Sequence, residues 1–183
     1  MSDFIGETTD LLRRTPELLR VLLKGVPDAW TDTADVPDDG WRPKDVVGHL
    51  ITGEHDDWIP RIKRILEDGT TKPFDKFDRH AMLERDRGVP IGDLIAQFAA
   101  LRQLNLRRLD ELVSEADLEK PGYHPSLGTV TMRNLLATWA VHDLDHTGQI
   151  FAGMSAAYDE TVGPWKQYLG ILLRREDPSA VPG

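Results

Sequence analysis

The chain contains no cysteine. Disulfides, thiolate metal ligation and cysteine nucleophiles are therefore excluded, and the composition suits a reducing compartment. No apolar run approaches the roughly 20 residues needed to span a bilayer, so no membrane partner is expected. The opening MSDFIGETTD lacks the charged and apolar regions of a signal peptide, so the expected compartment is the cytoplasm. Positive charge is also scarce. Lys and Arg number 22 against 31 Asp and Glu, a net charge of −9 with no basic stripe, which argues against nucleic acid as a partner. There is no internal repeat, no low-complexity tract and no clear strand.

What remains is helical periodicity. At 183 residues the chain is long enough for one well-buried core and short for two, so a single domain over 1–183 is expected. A first helical region covers about 4–25, with Thr15-Pro16-Glu17 restarting it, Thr as N-cap and Pro at the first helical position. A linker with Pro37, Gly40 and Trp41 follows. Pro43 opens a second helix to about Leu66, stopped by Gly69. Residues 69–89 are mixed. Pro90 opens a third helix to about Val113, with Leu94, Phe98, Leu101 and Leu109 on or near one side. Residues 114–130 read as a loop. Thr131 caps a fourth helix ending near Ala152 with Gly153 beyond it, and a short helix follows Pro164. The expected fold is all-α, a four-helix bundle. The connection between helices two and three is long for neighbours, which a crossover explains. If those helices run parallel, the course is up-down-down-up.

The strongest functional signal is TWAVHDLDHTGQI, in which His142 and His146 stand four residues apart. On a helix these project from one face, one turn apart, and their imidazoles can share one metal ion. His49, in DVVGHLITGEHDDW, occupies a comparable place on helix two. At 1.5 Å rise per residue, His49 lies roughly 9 Å from the start of helix two, and His146 and His142 roughly 9 and 15 Å from the end of helix four. With those helices antiparallel, all three rings reach one level of the bundle. Neutral imidazole suits zinc and nickel first, and also iron(II) and copper(II). Three protein ligands leave an open position, the pattern of catalytic zinc. The alternative is that these are core or capping histidines held by hydrogen bonds.

Other polar residues carry weaker signals. Asp56 is seven residues after His49, on the same helix face, and is the expected proton acceptor, with a further ligand role or a solvated or ion-paired carboxylate as alternatives. Glu54 projects off the His49 direction. Gln149 follows His146 by three and either faces the pocket or makes a structural hydrogen bond. His55 points away from His49, His124 lies in the loop at the opposite end, and the sequence does not place His80. Asp143 and Asp145 flank the pair on other faces as solvated or ion-paired groups.

Several of these pieces together resemble the DinB-like family, near its DinB-2 group. They are Trp41-Arg42-Pro43 followed by DVVGHL, then Glu54, Phe98 with Arg102, His124-Pro125 with GTVT, and HDLDHTGQI. The resemblance covers roughly residues 10–152. It implies an up-down-down-up four-helix bundle, one divalent metal ion held by His49, His142 and His146, and a homodimer. Relatives include metal-dependent thiol S-transferases and the mycothiol-dependent maleylpyruvate isomerase, so a low-molecular-weight thiol cosubstrate is among the expectations. The family's usual Ser or Thr before the helix-two proline is Arg42 here, which touches capping and not ligation.

The expected function is that of a divalent-metal-dependent enzyme acting on a small molecule, thiol S-transferase-like or hydrolase-like. The metal would lower the pKa of a bound water or thiol. A second reading is a non-catalytic metal or small-ligand binding protein of the same fold. A third, a helical interaction module without metal, requires the histidines to be incidental.

Overall fold

The computed structural model describes residues 3–32 and 40–176. Pro37 of the expected linker lies outside them. Seven α-helices run in chain order: α1 (Phe4–Leu23), α2 (Pro43–Asp56), α3 (Trp58–Asp68), α4 (Met82–Arg85), α5 (Ile91–Leu112), α6 (Met132–Ala156) and α7 (Gly170–Glu176). Helices α1 and α2 each pack against both α5 and α6, so these four form the bundle. No helix among the described residues is long and apolar enough to cross a membrane.

Two of the expected boundaries move because of proline. Helix α1 is continuous through Pro16, with Thr15 buried inside it rather than capping a restart. Pro16 has no N–H to offer the carbonyl of Leu12, four residues back, a defect that ordinarily costs about 3 kcal/mol or more. Here the Leu12 carbonyl accepts a 2.8 Å hydrogen bond from Arg102 Nη1 on α5, so the orphaned acceptor is satisfied from another helix. The expected second helix is divided at Asp57 into α2 and α3. Pro60 lies four residues after Asp56, and its ring and missing N–H disrupt that turn.

Helix ends follow capping chemistry. Thr131 Oγ1 accepts from Asn134 N at 3.1 Å, while Asn134 Oδ1 accepts from Thr131 N at 3.0 Å, closing a reciprocal cap on α6. At α2 the carboxylate of Asp45 accepts from the Arg42 backbone N–H at 2.9 Å and from its guanidinium at 2.7 Å, so Asp45 in the first turn ties down this helix start, where the donor-only Arg42 side chain cannot cap as Ser or Thr would. Helix α6 runs through a buried Gly153 to Ala156, one turn beyond its expected end.

The all-α expectation needs a small correction. Within the expected loop, β1 (Pro121–His124) pairs antiparallel with β2 (Gly128–Thr131), Tyr123 opposite Thr129. Gly128 supplies the positive φ of 78° that the tight return requires. A Cβ at Gly122 would stand 2.6 Å from Ile65 Cγ1, so only glycine lets the hairpin lie on α3. The crossover is anchored at both ends. Phe74 N donates to the Tyr123 carbonyl at 2.9 Å, and Arg85 Nη2 donates to the Gly48 carbonyl at 2.8 Å. At Gly48 a Cβ would meet Met82 Cβ at 2.9 Å, so α4 sits hard against α2.

The apolar interior has two parts. One gathers Leu12, Trp58, Ile62, Leu109, Leu136 and Trp139. The other gathers Leu19, Leu23, Val46, Leu50, Phe98 and Ile150. Among the residues joining them is Arg102, only 1 % exposed. Its Nε donates to Glu54 of α2 at 2.9 Å, Nη1 to the Leu12 carbonyl and to Asp143 of α6 at 2.6 Å, and Nη2 to Asp143 at 2.9 Å while lying 2.8 Å from Glu54. Asn105 and Trp139 complete the shell around Glu54, at 3.0 and 3.3 Å. Every nitrogen of the guanidinium thus faces an acceptor.

Removing that cation would leave the buried carboxylates of Glu54 and Asp143 without a counter-ion. Arg102→Met should therefore lower unfolding stability by about 3–5 kcal/mol in a denaturant titration. A loss under about 1 kcal/mol would show that water or protonation compensates the carboxylates fully.

Candidate metal centre

Helix α2 carries His49 and α6 carries His142 and His146 one turn apart. The two helices pack with these residues facing each other. His142 Nε2 lies 3.2 Å from His49 Nε2 and 3.1 Å from His146 Nε2. The sequence-expected trio is therefore brought to one point. Its ligand atoms all fall within 4.8 Å of one another, and among the described residues this group contains three histidines and no carboxylate. His49 is buried and the other two are half-buried, so one side of the group is accessible.

Two of the rings are oriented by their far nitrogens. His49 Nδ1 stands 3.2 Å from the Arg79 carbonyl, which can only accept, so that nitrogen donates and Nε2 keeps its lone pair. His146 Nδ1 stands 2.8 Å from Gln149 Oε1, which fixes the same tautomer with the amide oxygen turned to the ring. His142 Nδ1 is buried without a hydrogen-bond partner. An imidazole held at Nδ1 and bare at Nε2 is the form that binds a metal ion. Two nitrogens at 2.0–2.1 Å from one tetrahedral ion stand about 3.3 Å apart. The observed 3.1 and 3.2 Å separations are close to that spacing. The donor set and its geometry fit a divalent ion.

Electrostatics favour the neutral rings. Burial, then repulsion from a charged His146, pulls His49 down from 6.5 to about 4. Burial pulls His142 down further, helped by His146, His49 and Arg102. His146 is also lowered by burial, partly opposed by its bond to Gln149. All three are thus unprotonated at neutral pH.

Aromatic side chains enclose the group. The Trp41 ring lies 4.8 Å from His49 and is stacked 6.2 Å from His146. Trp58 stands edge-on to His142 at 5.1 Å, and Phe77 edge-on to His49 at 5.6 Å. A Cβ at Gly53 would be 3.0 Å from Trp58 Nε1, so that glycine gives the indole its place. A groove of about 840 Å³ between α1 and α5, lined by Arg13, Ala96, Ala99 and Arg107 among others, holds none of the three histidines.

The weaker sequence signals sort clearly. Asp56 is exposed at the last turn of α2 and lies outside the three-ring group. Glu54 belongs to the Arg102 ion pair, as does Asp143, while Asp145 and His55 are exposed. Gln149 orients a ring. His124 accepts from Ser126 N and Leu127 N at 3.2 Å in the hairpin turn. His80 stands edge-on to Trp41 at 5.8 Å, on the rim of the group. Sequence reasoning did not anticipate the wall made by Trp41, Phe77 and Trp58. Trp41, immediately before the Arg-Pro that opens α2, was its one readable signal.

The DinB superfamily, through its DinB_2 family, matches residues 11–150. No curated protein matches the chain. Among solved structures, YfiT from Bacillus subtilis, described as a probable metal-dependent hydrolase with an unusual four-helix bundle topology, superposes with a TM-score of 0.71 at 22 % identity, covering 85 % of this chain and 89 % of its own.

The depressed His49 value has a signed consequence. Between about 4 and 6.5 the unfolded chain binds a proton at His49 that the metal-free folded chain refuses. The penalty is absent above pH 6.5 and grows as pH falls toward 4. The stability advantage of wild type over His49→Gln should therefore shrink as metal-free protein is taken from pH 7 to pH 4. An advantage constant over that range would mean that the ring titrates normally.

Proposed function

The chain belongs to the DinB superfamily, and from that membership we propose that it is a metal-dependent hydrolase of a small molecule, with His49, His142 and His146 as ligands of one divalent ion, zinc or nickel. The observation that carries the reading is the convergence of three imidazoles, with His142 Nε2 at 3.2 and 3.1 Å from the Nε2 atoms of His49 and His146, whose tautomers are set from behind.

A divalent ion bound there supplies Lewis-acid polarisation of a substrate and a water of lowered pKa. The chain's own groups do the remainder. The three imidazoles offer lone pairs without releasing protons at neutral pH. The Arg79 carbonyl and Gln149 hold two rings in register. Trp41, Trp58 and Phe77 keep the surroundings apolar, which strengthens electrostatic interactions at the accessible face. Three imidazole ligands with no carboxylate in the group, among the described residues, favour an open coordination position, and so catalysis over storage. The description of YfiT favours hydrolysis over thiol transfer, so a thiol cosubstrate is the second choice. Proton transfer through Asp56 would start from the exposed end of α2.

The proposal extends to the architecture. An up-down-down-up course of α1, α2, α5 and α6 is supported by the grouping of the early residues Val46 and Leu50 of α2 with Leu94 and Phe98 of α5 and the late residues Leu19 and Leu23 of α1 and Ile150 of α6. A single domain over 1–183, a homodimer and a cytoplasmic location belong to the same reading. The exposed Val141, Leu144 and Phe151, recurring at helical spacing on α6, are a face that a second copy would cover.

Elemental analysis of untagged protein should find about one divalent ion per chain. His49→Ala, His142→Ala and His146→Ala should each lower that affinity strongly. Chelation should abolish hydrolysis across a panel of small esters and amides, and re-addition should restore it. Unchanged metal binding in all three variants would remove the site. Tight binding with no turnover in hydrolase and thiol screens would favour the non-catalytic reading.

A further inference from the structure

The rim of the histidine group carries charge that the metal does not need. Arg79 belongs to the crossover segment and is exposed. Its backbone carbonyl faces His49 Nδ1, which pins this residue beside the group. Its guanidinium carbon lies 5.1 Å from the centre of the Trp41 ring, and that ring in turn lies against both His49 and His146. Metal ligation alone gains nothing from this, because a cation at the rim repels another cation.

A second observation points the same way. The indole Nε1 of Trp41 is buried, in a residue only 2 % exposed, and has no hydrogen-bond partner. A buried N–H without an acceptor costs about 1–3 kcal/mol, so Trp41 carries an unmet donor beside the group. An arginine fork lying over that indole, beside an apolar aromatic wall, suits an oxyanion attached to an apolar body. The five N–H donors of a guanidinium can serve a ligand while keeping other contacts.

We propose that Arg79, backed by Trp41, binds a carboxylate group of the substrate at the lip of the three-histidine group, so that the substrates are small apolar carboxylates. This rests on the metal-site reading above. Arg79 is a specificity-determining residue here and takes no part in bond making.

The test uses Co²⁺-loaded protein, benzoate as the probe and benzamide as its uncharged counterpart. Cobalt uptake, read from its visible absorption, reports the metal reading alone. Benzoate binding, read from the perturbation of that spectrum and by calorimetry, reports this proposal. Wild type should prefer benzoate to benzamide. Arg79→Met should weaken benzoate about tenfold or more, the loss of one charge-assisted bond pair, with cobalt affinity unchanged or raised and thermal unfolding unchanged. Arg79→Lys should fall between the two. Equal benzoate affinity in wild type and Arg79→Met would overturn the proposal while leaving the metal site intact. If cobalt does not bind at all, the metal reading fails, and calorimetry on metal-free protein decides the matter. Benzoate binding lost in Arg79→Met then sustains the anion site, and binding that is absent or indifferent to that substitution overturns it.

Discussion

A buried guanidinium ties together the helices on which the histidine group depends. Arg102 is charged, 1 % exposed, and answered by Glu54 of α2, Asp143 of α6 and the Leu12 carbonyl of α1. Taking such a cation out of water costs several kcal/mol, so the structure tolerates it only where acceptors surround it. The placement of α1, α2 and α6 about α5 meets that condition. Glu54 lies five residues after His49, and Asp143 directly follows His142. The geometry that satisfies Arg102 is therefore also the geometry that brings the histidines together. The charge acts on the group as well, since Arg102 is among the causes that hold His142 unprotonated.

The network resolves a conflict in α1. Pro16 breaks the helix ladder by local rules, yet α1 does not break there. The carbonyl that Pro16 leaves without a partner is one that Arg102 takes. A local defect thus becomes an attachment point between helices. At Pro60 the chain instead divides into α2 and α3. The same residue type thus gives two outcomes in one chain.

Burial also shapes the chemistry of the site. Three imidazoles within 4.8 Å would repel strongly if protonated, and the interior makes protonation still less favourable. Their neutral form is the ligating form. The accessible side is bordered by Arg79, His80 and Phe77 from the crossover, held down by the hairpin at Phe74 and by the α4 contact at Gly48. The long connection between α2 and α5 is thus part of the site's border.

The sequence by itself determined much of this protein. Helical periodicity located the four bundle helices, although the second is divided at Asp57 into α2 and α3, and Thr131 and Pro43 marked two helix starts correctly, because capping and proline effects act within a few residues. The spacing of His142 and His146 fixed one face of α6, and His49 stood at a matching level. Other features depended on residues far apart in the chain. The hairpin was hidden in a Pro- and Gly-rich stretch of four-residue strands too short to show periodicity. Glu54 and Asp143 looked like ordinary carboxylates, although Arg102 in the apolar stripe of α5 was a legible anomaly. The aromatic wall, the exposure of Asp56 and the place of Arg79 were decided only by the tertiary structure. Burial and hydrogen bonding of a side chain depend on which distant segment packs over it, and neither composition nor spacing encodes that neighbour.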